Sequence, residues 1–364
     1  MFNPAVLKKL MTKCYINGAA CISAQNTFEG AFPDGAIFNT SSNVLPALKL
    51  DYKEFIAPAA GRRMAHGVKN GISASARALK EAGITGIDAI ITGTGMGCNV
   101  DSQKFLQAVI DNKEEFLTPT SFIQSTHNTV GAQIALELQS QVYNFVYVNG
   151  AISFESALID AKLQIEEGEA ATVLVGGIEE LAENRIKLFE LSGEAKDMAN
   201  APFSVLESTT GGAVISEGAM FMVLSDTVQE STYAEIKDVS IYNVLLQDEV
   251  QEKLEAFLKV NNLSPQDIDA VVLGYNGDVD FDGYYTILAE GIFASIPQLY
   301  YKHLSGEYHT ASSFGLWIAA QAVKEQQIHE VLRANHIPSQ ALNNILLYNQ
   351  YRGKDHSFTL ISKV

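Results

Sequence analysis

Residues Asn144 to Gly177 read NFVYVNGAISFESALIDAKLQIEEGEAATVLVGG, and no other stretch restricts the fold as tightly. Asn144 to Asn149 alternates aromatic and β-branched residues, which predicts a strand buried on both faces. Gly150 supplies a turn with free choice of φ. From Ser153 the apolar residues Phe154, Ala157, Leu158, Ala161 and Ile165 recur at helical spacing. Glu167-Gly168 ends that helix, and Thr172 to Val175 reads as the next buried strand. A strand that turns tightly into a helix aims the turn at the helix N-terminus, where a thiol ionises easily. The turn residues are Asn149, Gly150, Ala151 and Ile152, so the place for a nucleophile holds none.

Strands and helices alternate on both sides of this unit, which predicts α/β layers with mostly parallel sheets. Lys13 to Ser23 reads as a first strand, Arg62 to Ala82 as a helix ended by Gly83, and Asp88 to Thr92 as a short buried strand. Helices are predicted over Ser102 to Asn112 and from about Asn128. Leu117 to Gln124 reads as extended, and Glu180 to Gly212 as a long irregular insertion. The plan then restarts. Ile87-DAIITG and Ile268-DAVVLG share one pattern, each after an amphipathic helix. Val173 to Gly177 parallels Ile345 to Asn349, and Phe221 to Ser225 parallels Phe358 to Ser362. Two halves, 1–227 and 228–364, are the economical division.

With 364 residues, 47% of them hydrophobic and 18% charged, the chain can fill a large core. No apolar run reaches the roughly 18 residues of a membrane span. The stripe Phe2, Val6, Leu7 and Leu10 reads as a short helix or disordered extension, not a signal peptide. Cys14, Cys21 and Cys98 read as reduced core residues of a cytoplasmic protein. A net charge of −17 argues against nucleic acid or an anionic membrane as partner, and against direct docking of an acidic carrier protein. No metal or cofactor is expected. The turn Gly93 to Gly97 lacks dinucleotide-loop spacing and reads as packed against the sheet.

Several segments resemble the β-ketoacyl synthases of the thiolase fold. Asn128 and Gly131 match the helix before the elbow strand, and Ser153, Ala161, Gly168, Gly176 and Gly177 match the nucleophile helix and the strand after it. Pro202, Phe203, Glu217, Gly218 and Ala219 match the family's PF…EGA segment. FLTPTSFIQSTHNT…QIAL resembles ketosynthase relatives of aryl-polyene and flexirubin-type pigment clusters. The resemblance implies a five-layer α-β-α-β-α sandwich of two duplicated halves that dimerises through the strand before the elbow.

The departures concern the family's Cys-His-His set. The alignment puts Ala151 at the nucleophilic cysteine, Tyr275 or Asn276 at the first histidine, and Gly315 at the second. Without the thiolate no acyl-enzyme forms. Each missing oxyanion donor costs roughly 3–4 kcal/mol of transition-state stabilisation. The resemblance therefore implies a non-catalytic subunit of fatty acid or polyketide-type pigment biosynthesis, similar to a chain-length factor. Its partners would be a second copy or an active ketosynthase, with acyl carrier protein reached through that partner. The rival is an active 3-oxoacyl-carrier-protein synthase with an unusual site, for which Ser153 and His127 are the substitute nucleophile and base. A third reading is a small-molecule binder that reuses the acyl pocket. A tunnel for the growing chain is expected between Phe122, Ile123, Phe154 and Phe203. Glu166-Glu167 and Glu179-Glu180 read as solvated faces.

Overall fold

The computed structural model describes residues 12–28 and 35–364. The apolar stripe from Phe2 to Leu10 lies outside the described residues. The strands are β1 (Cys14–Ile22), β2 (Val44–Leu45), β3 (Ala89–Gly93), β4 (Tyr143–Tyr147), β5 (Thr172–Glu179), β6 (Ile215–Ser216), β7 (Gly218–Ser225), β8 (Ala234–Val244), β9 (Ala270–Leu273), β10 (Gln298–Tyr300), β11 (Asn344–Tyr351) and β12 (Lys354–Ser362). The principal helices are α1 (His66–Ala82), α2 (Asn99–Asp111), α3 (Pro119–Ser125), α4 (Thr129–Glu137), α5 (Ser153–Glu166), α6 (Glu183–Leu191), α7 (Gln247–Val260), α8 (Gly283–Ala289), α9 (Lys302–Ser305) and α10 (Ser312–Glu325).

Ten strands run in the order β10-β9-β11-β12-β8-β1-β7-β5-β3-β4. Read outward from the β1–β8 seam, each half lays down the same order of five strands. The repeated sequence pattern sits at equivalent registers: Ala89 faces Val173 on β5, and Ala270 faces Ile345 on β11, both in parallel. The seam itself is narrow, pairing Cys14, Tyr15 and Ile16 with Ile236, Glu235 and Ala234.

Period-two alternation builds the layers. On β3, Ala89 and Ile91 point into a central core while Ile90 points into an outer one with α1 and α4. On β9, Ala270 and Val272 join the same central core, and Val271 and Leu273 face α7 and α8. The central core holds the apolar faces of α5 and α10 between the two strand sets. The result is the expected thiolase-like five-layer arrangement.

Four readings need correction. β4 is not buried on both faces: it ends the sheet, with Tyr143 43% and Phe145 46% exposed. Alternating aromatic and β-branched residues suit an edge strand as well as an inner one, so the pattern could not tell them apart. The stretch read as extended at Leu117 to Gln124 contains α3, which starts at Pro119 because a first-turn proline needs no amide hydrogen. The insertion after Glu180 carries α6. Glu179 and Glu180 are buried, at 4% and 3% exposure, and not solvated.

Candidate functional site

The elbow forms where β4 ends. Gly150 takes φ +55 and lies so close to the second half that a Cβ there would sit 2.7 Å from Asp355 Oδ2. Only glycine meets both demands. One helical turn over Gly150–Ile152 then leads into α5. The Ser153 hydroxyl accepts from the Asn149 amide (2.8 Å) and donates to the Gly150 carbonyl (2.7 Å), fixing the turn from inside. Ala151 is buried, and its side chain offers no reactive atom. Its N–H donates to Asp355 Oδ2 at 3.0 Å. The positive end of α5 is thus already matched by a carboxylate from the start of β12. Burial raises the Asp355 pKa, and the Ala151 hydrogen bond partly offsets that rise.

A second polar cluster lies beyond β9. Asn276 Nδ2 donates to Glu307 Oε2 at 2.6 Å, and Lys302 Nζ donates to the same oxygen at 2.7 Å. All three side chains are buried. Breaking such a pair would leave a buried charge uncompensated, which is why these groups hold one another in place. The Asn276 and Gly277 amides donate to Asp282, at 3.3 and 2.9 Å. Burial pushes the Asp282 pKa up to about 7. Lys196, also buried, donates to Ser208 Oγ, to Thr210 and to the Gly277 carbonyl, tying the 196–210 stretch to the turn after Asn276.

A third group closes the turn after β3. Glu179 accepts from Thr94 Oγ1 (3.3 Å) and from the Gly95 amide. Burial pushes its pKa up to about 8. The amides that a phosphate would need are therefore spent on an internal carboxyl, in keeping with a packed turn.

Residues 50–229 match the family model of the β-ketoacyl synthase N-terminal domain. The first half of the chain therefore carries a domain of the β-ketoacyl synthase family. A β-ketoacyl synthase from Burkholderia phymatum STM815 superposes with a TM-score of 0.80 at 17% identity, covering 97% of this chain and 100% of that one. The ishigamide ketosynthase/chain length factor gives 0.78 at 16% identity, covering 97% and 99%. The ketosynthase ApeO in complex with its chain length factor ApeC, from Xenorhabdus doucetiae, gives 0.75 at 15% identity, covering 100% of both. At these identities the superpositions show the fold. No curated protein matches the sequence.

Among the residues aligned to the ketosynthase set, Ala151 sits at the elbow, and Asn276 lies in the polar cluster of the second half. Tyr275 turns the other way, into the outer core, where its ring packs on Tyr285. Gly315 lies inside α10, where a Cβ would meet the Tyr301 ring at 2.8 Å and Leu347 at 3.1 Å. The group that faces Asn276 is Glu307, on the chain before α10, and not a residue near Gly315. Ser153 is fully buried with its hydroxyl engaged in the turn. His127 is exposed and lies against Gly97. These two do not form a hydrogen-bonded nucleophile–base pair.

The four expected tunnel residues are not brought together. Phe154 is buried beside Gly177, and Phe203 lines a cavity next to Asn276 and Lys302. Phe122 and Ile123 are 54% and 57% exposed on α3, with Phe122 packed on Phe105 of α2. Among the described residues no cluster of three His, Cys, Asp or Glu side chains is placed to hold a metal ion, and no helix is long and apolar enough to cross a membrane. Lys302, Glu307, Lys196 and Asp355 were missed in the sequence. Their only signal is charge inside otherwise apolar or turn segments.

Proposed function

We propose that this chain is a non-catalytic ketosynthase-like subunit that pairs with a ketosynthase bearing an intact nucleophile. The observation that carries the reading is the elbow. Ala151 offers no nucleophilic atom, and the amide that would stabilise an oxyanion there is held by Asp355. The partner supplies the Cys-His-His chemistry and receives the acyl carrier protein, which this chain's charge of −17 disfavours as a direct ligand. The role fits fatty acid or polyketide-type biosynthesis, pigments included, in the manner of a chain-length factor.

The exposed side chains of β4 and α3 give the pairing its surface. Tyr143, Phe145, Val148, Leu136, Phe122 and Ile123 leave an apolar face on the elbow side of the first half. Phe122 and Ile123 then act on the growing chain from outside, by closing the partner's tunnel, and not as walls of a tunnel within this chain. The test is co-expression with a ketosynthase, followed by intact-mass spectrometry and product analysis. The expected result is acylation of the partner alone, with Phe122→Ala changing product length in a complex that still forms. An acyl adduct on this chain would sink the reading.

A further inference from the structure

A pocket of about 20 Å³ lies between α6, the turn that joins β3 to α2, and the chain before α10. That is room for one group little larger than a water molecule. Its polar wall includes Asn99, Glu179, Glu180, Arg185, Glu307 and His309. Neither Ala151, Asp355 nor any β4 residue lines it, so its role does not depend on the reading of the elbow.

Arg185 is half-buried, and among the described residues its guanidinium makes no hydrogen bond and no ion pair. It lies 4.7 Å over the Phe189 ring. Its charge bears on His309 and Glu179, which line the pocket, so the guanidinium and not its stem faces that space. Of its nitrogens only Nε is sealed from solvent; the two Nη atoms stay open, each with two N–H donors.

The carboxyl groups nearby do not meet this charge. Glu307 is taken by Asn276 and Lys302. Glu180 accepts from the Gly67 and Val100 amides at 3.2 and 3.0 Å. Glu194 accepts from Tyr351 at 2.6 Å and from Ser192 at 2.8 Å. Glu179 keeps its proton at neutral pH, because burial pushes its pKa up to about 8. A guanidinium cannot shed its proton, so a half-buried one without a carboxylate partner is costly until another anion reaches it.

We propose that this pocket binds a monatomic anion of chloride size, held by the Arg185 Nη donors, with His309 and Asn99 completing the cradle. Burial, and then the Arg185 charge, push the His309 pKa down to about 4, so its ring is neutral and has one N–H to give. Neither ring nitrogen has a partner among the described residues, and neither is sealed. Asn99 spends one amide hydrogen on the Met96 sulfur at 3.5 Å and has a second to give. The volume admits one such atom and not a carboxylate with its carbon chain.

The test uses chloride and bromide on the full chain, in solution and in crystals. Adding the chain should broaden the chlorine NMR line of dissolved chloride, and bromide should reverse the broadening where acetate does not. Crystals soaked in sodium bromide should show an anomalous peak against the Arg185 guanidinium. Arg185→Gln should weaken chloride binding about tenfold or more and abolish the peak. Arg185→Lys keeps a cation and should keep the peak. No peak at Arg185, or an equal peak in Arg185→Gln, would overturn the proposal. A peak without broadening in solution would mean binding at crystal concentration only, and would overturn it too. Acetate competing as well as bromide would remove the halide as the ligand. Should Arg185→Gln fail to fold, the bromide peak and the bromide–acetate competition on the native chain decide alone.

Discussion

β4 and β10 occupy equivalent places at the two ends of the ten-stranded sheet, and the chain treats them differently. At β10 the following segment folds back over the edge. Leu299 bridges Arg333, the Ala334 amide donates to the Gln298 carbonyl (2.8 Å), and the Gln298 amide donates to Asn335 (3.1 Å). Leu299 is fully buried as a result. At β4 no described strand pairs on the outer side, and Tyr143 and Phe145 stack together on the surface at 6.1 Å. An uncovered, uncharged, aromatic edge is a template for another chain. Duplication supplied two such edges, and only one is finished from within.

Four tests bear on this difference. The largest effect is expected at the covered edge. Leu299→Ala should cost about 2–5 kcal/mol of stability by opening a cavity, as read from urea unfolding. It should leave pairing with a ketosynthase unchanged. At the bare edge the roles reverse. Phe145→Arg should weaken pairing by about 2 kcal/mol or more, and shift lone-chain stability by no more than about 0.5 kcal/mol. Sedimentation of the mixed subunits reads this; full pairing in the variant would remove β4 as the contact.

The elbow gives the third test. In Ala151→Cys the thiol would lie at a helix N-terminus, yet beside the Asp355 carboxylate, which opposes its ionisation. Adding Asp355→Asn should raise its alkylation rate by iodoacetamide about tenfold. Equal rates would show that Asp355 does not govern this site. The last test belongs to the second half. The raised pKa of Asp282, about 7, means that the folded chain holds a proton there which the unfolded chain has released. Stability should therefore fall as pH rises from about 4 to 7. Asp282→Asn should flatten that part of the curve in urea unfolding at pH 5 and pH 8. The same change at half-buried Asp355 should alter it less. A curve unchanged by Asp282→Asn would contradict the assignment.

Local patterns made the layers legible. The repeated I-D-A segments became β3 and β9 at matching registers, and Gly150 marked the elbow because a left-handed turn beside another segment admits little else. The elbow's emptiness was also visible, in Ala151. What filled it was not. Asp355 meets Ala151 across a sequence separation of 204, and no periodicity connects two such positions. Glu307 was hidden for the same reason: its partners Asn276 and Lys302 come together only when β9 and α9 dock. The burial of Glu179 and Glu180 runs against composition, which places carboxylates in water unless a turn supplies amides to receive them. The two edges were indistinguishable in sequence, because covering depends on where a distant segment returns.

The seam at β1 carries a consequence for how the chain comes to be made. β1 lies between β7 and β8, so the strand synthesised early is joined on both sides by strands synthesised about 200 residues later. At cellular rates of about 5–20 residues per second, Cys14, Ile16 and Cys21 wait roughly 10–40 s for their neighbours. Until Ser225 has left the ribosome, the first half cannot acquire its full strand order. Contacts of such long range slow folding, and the apolar segment that waits for them needs shelter during translation. The strand at the seam thus sets the schedule for assembling everything around it.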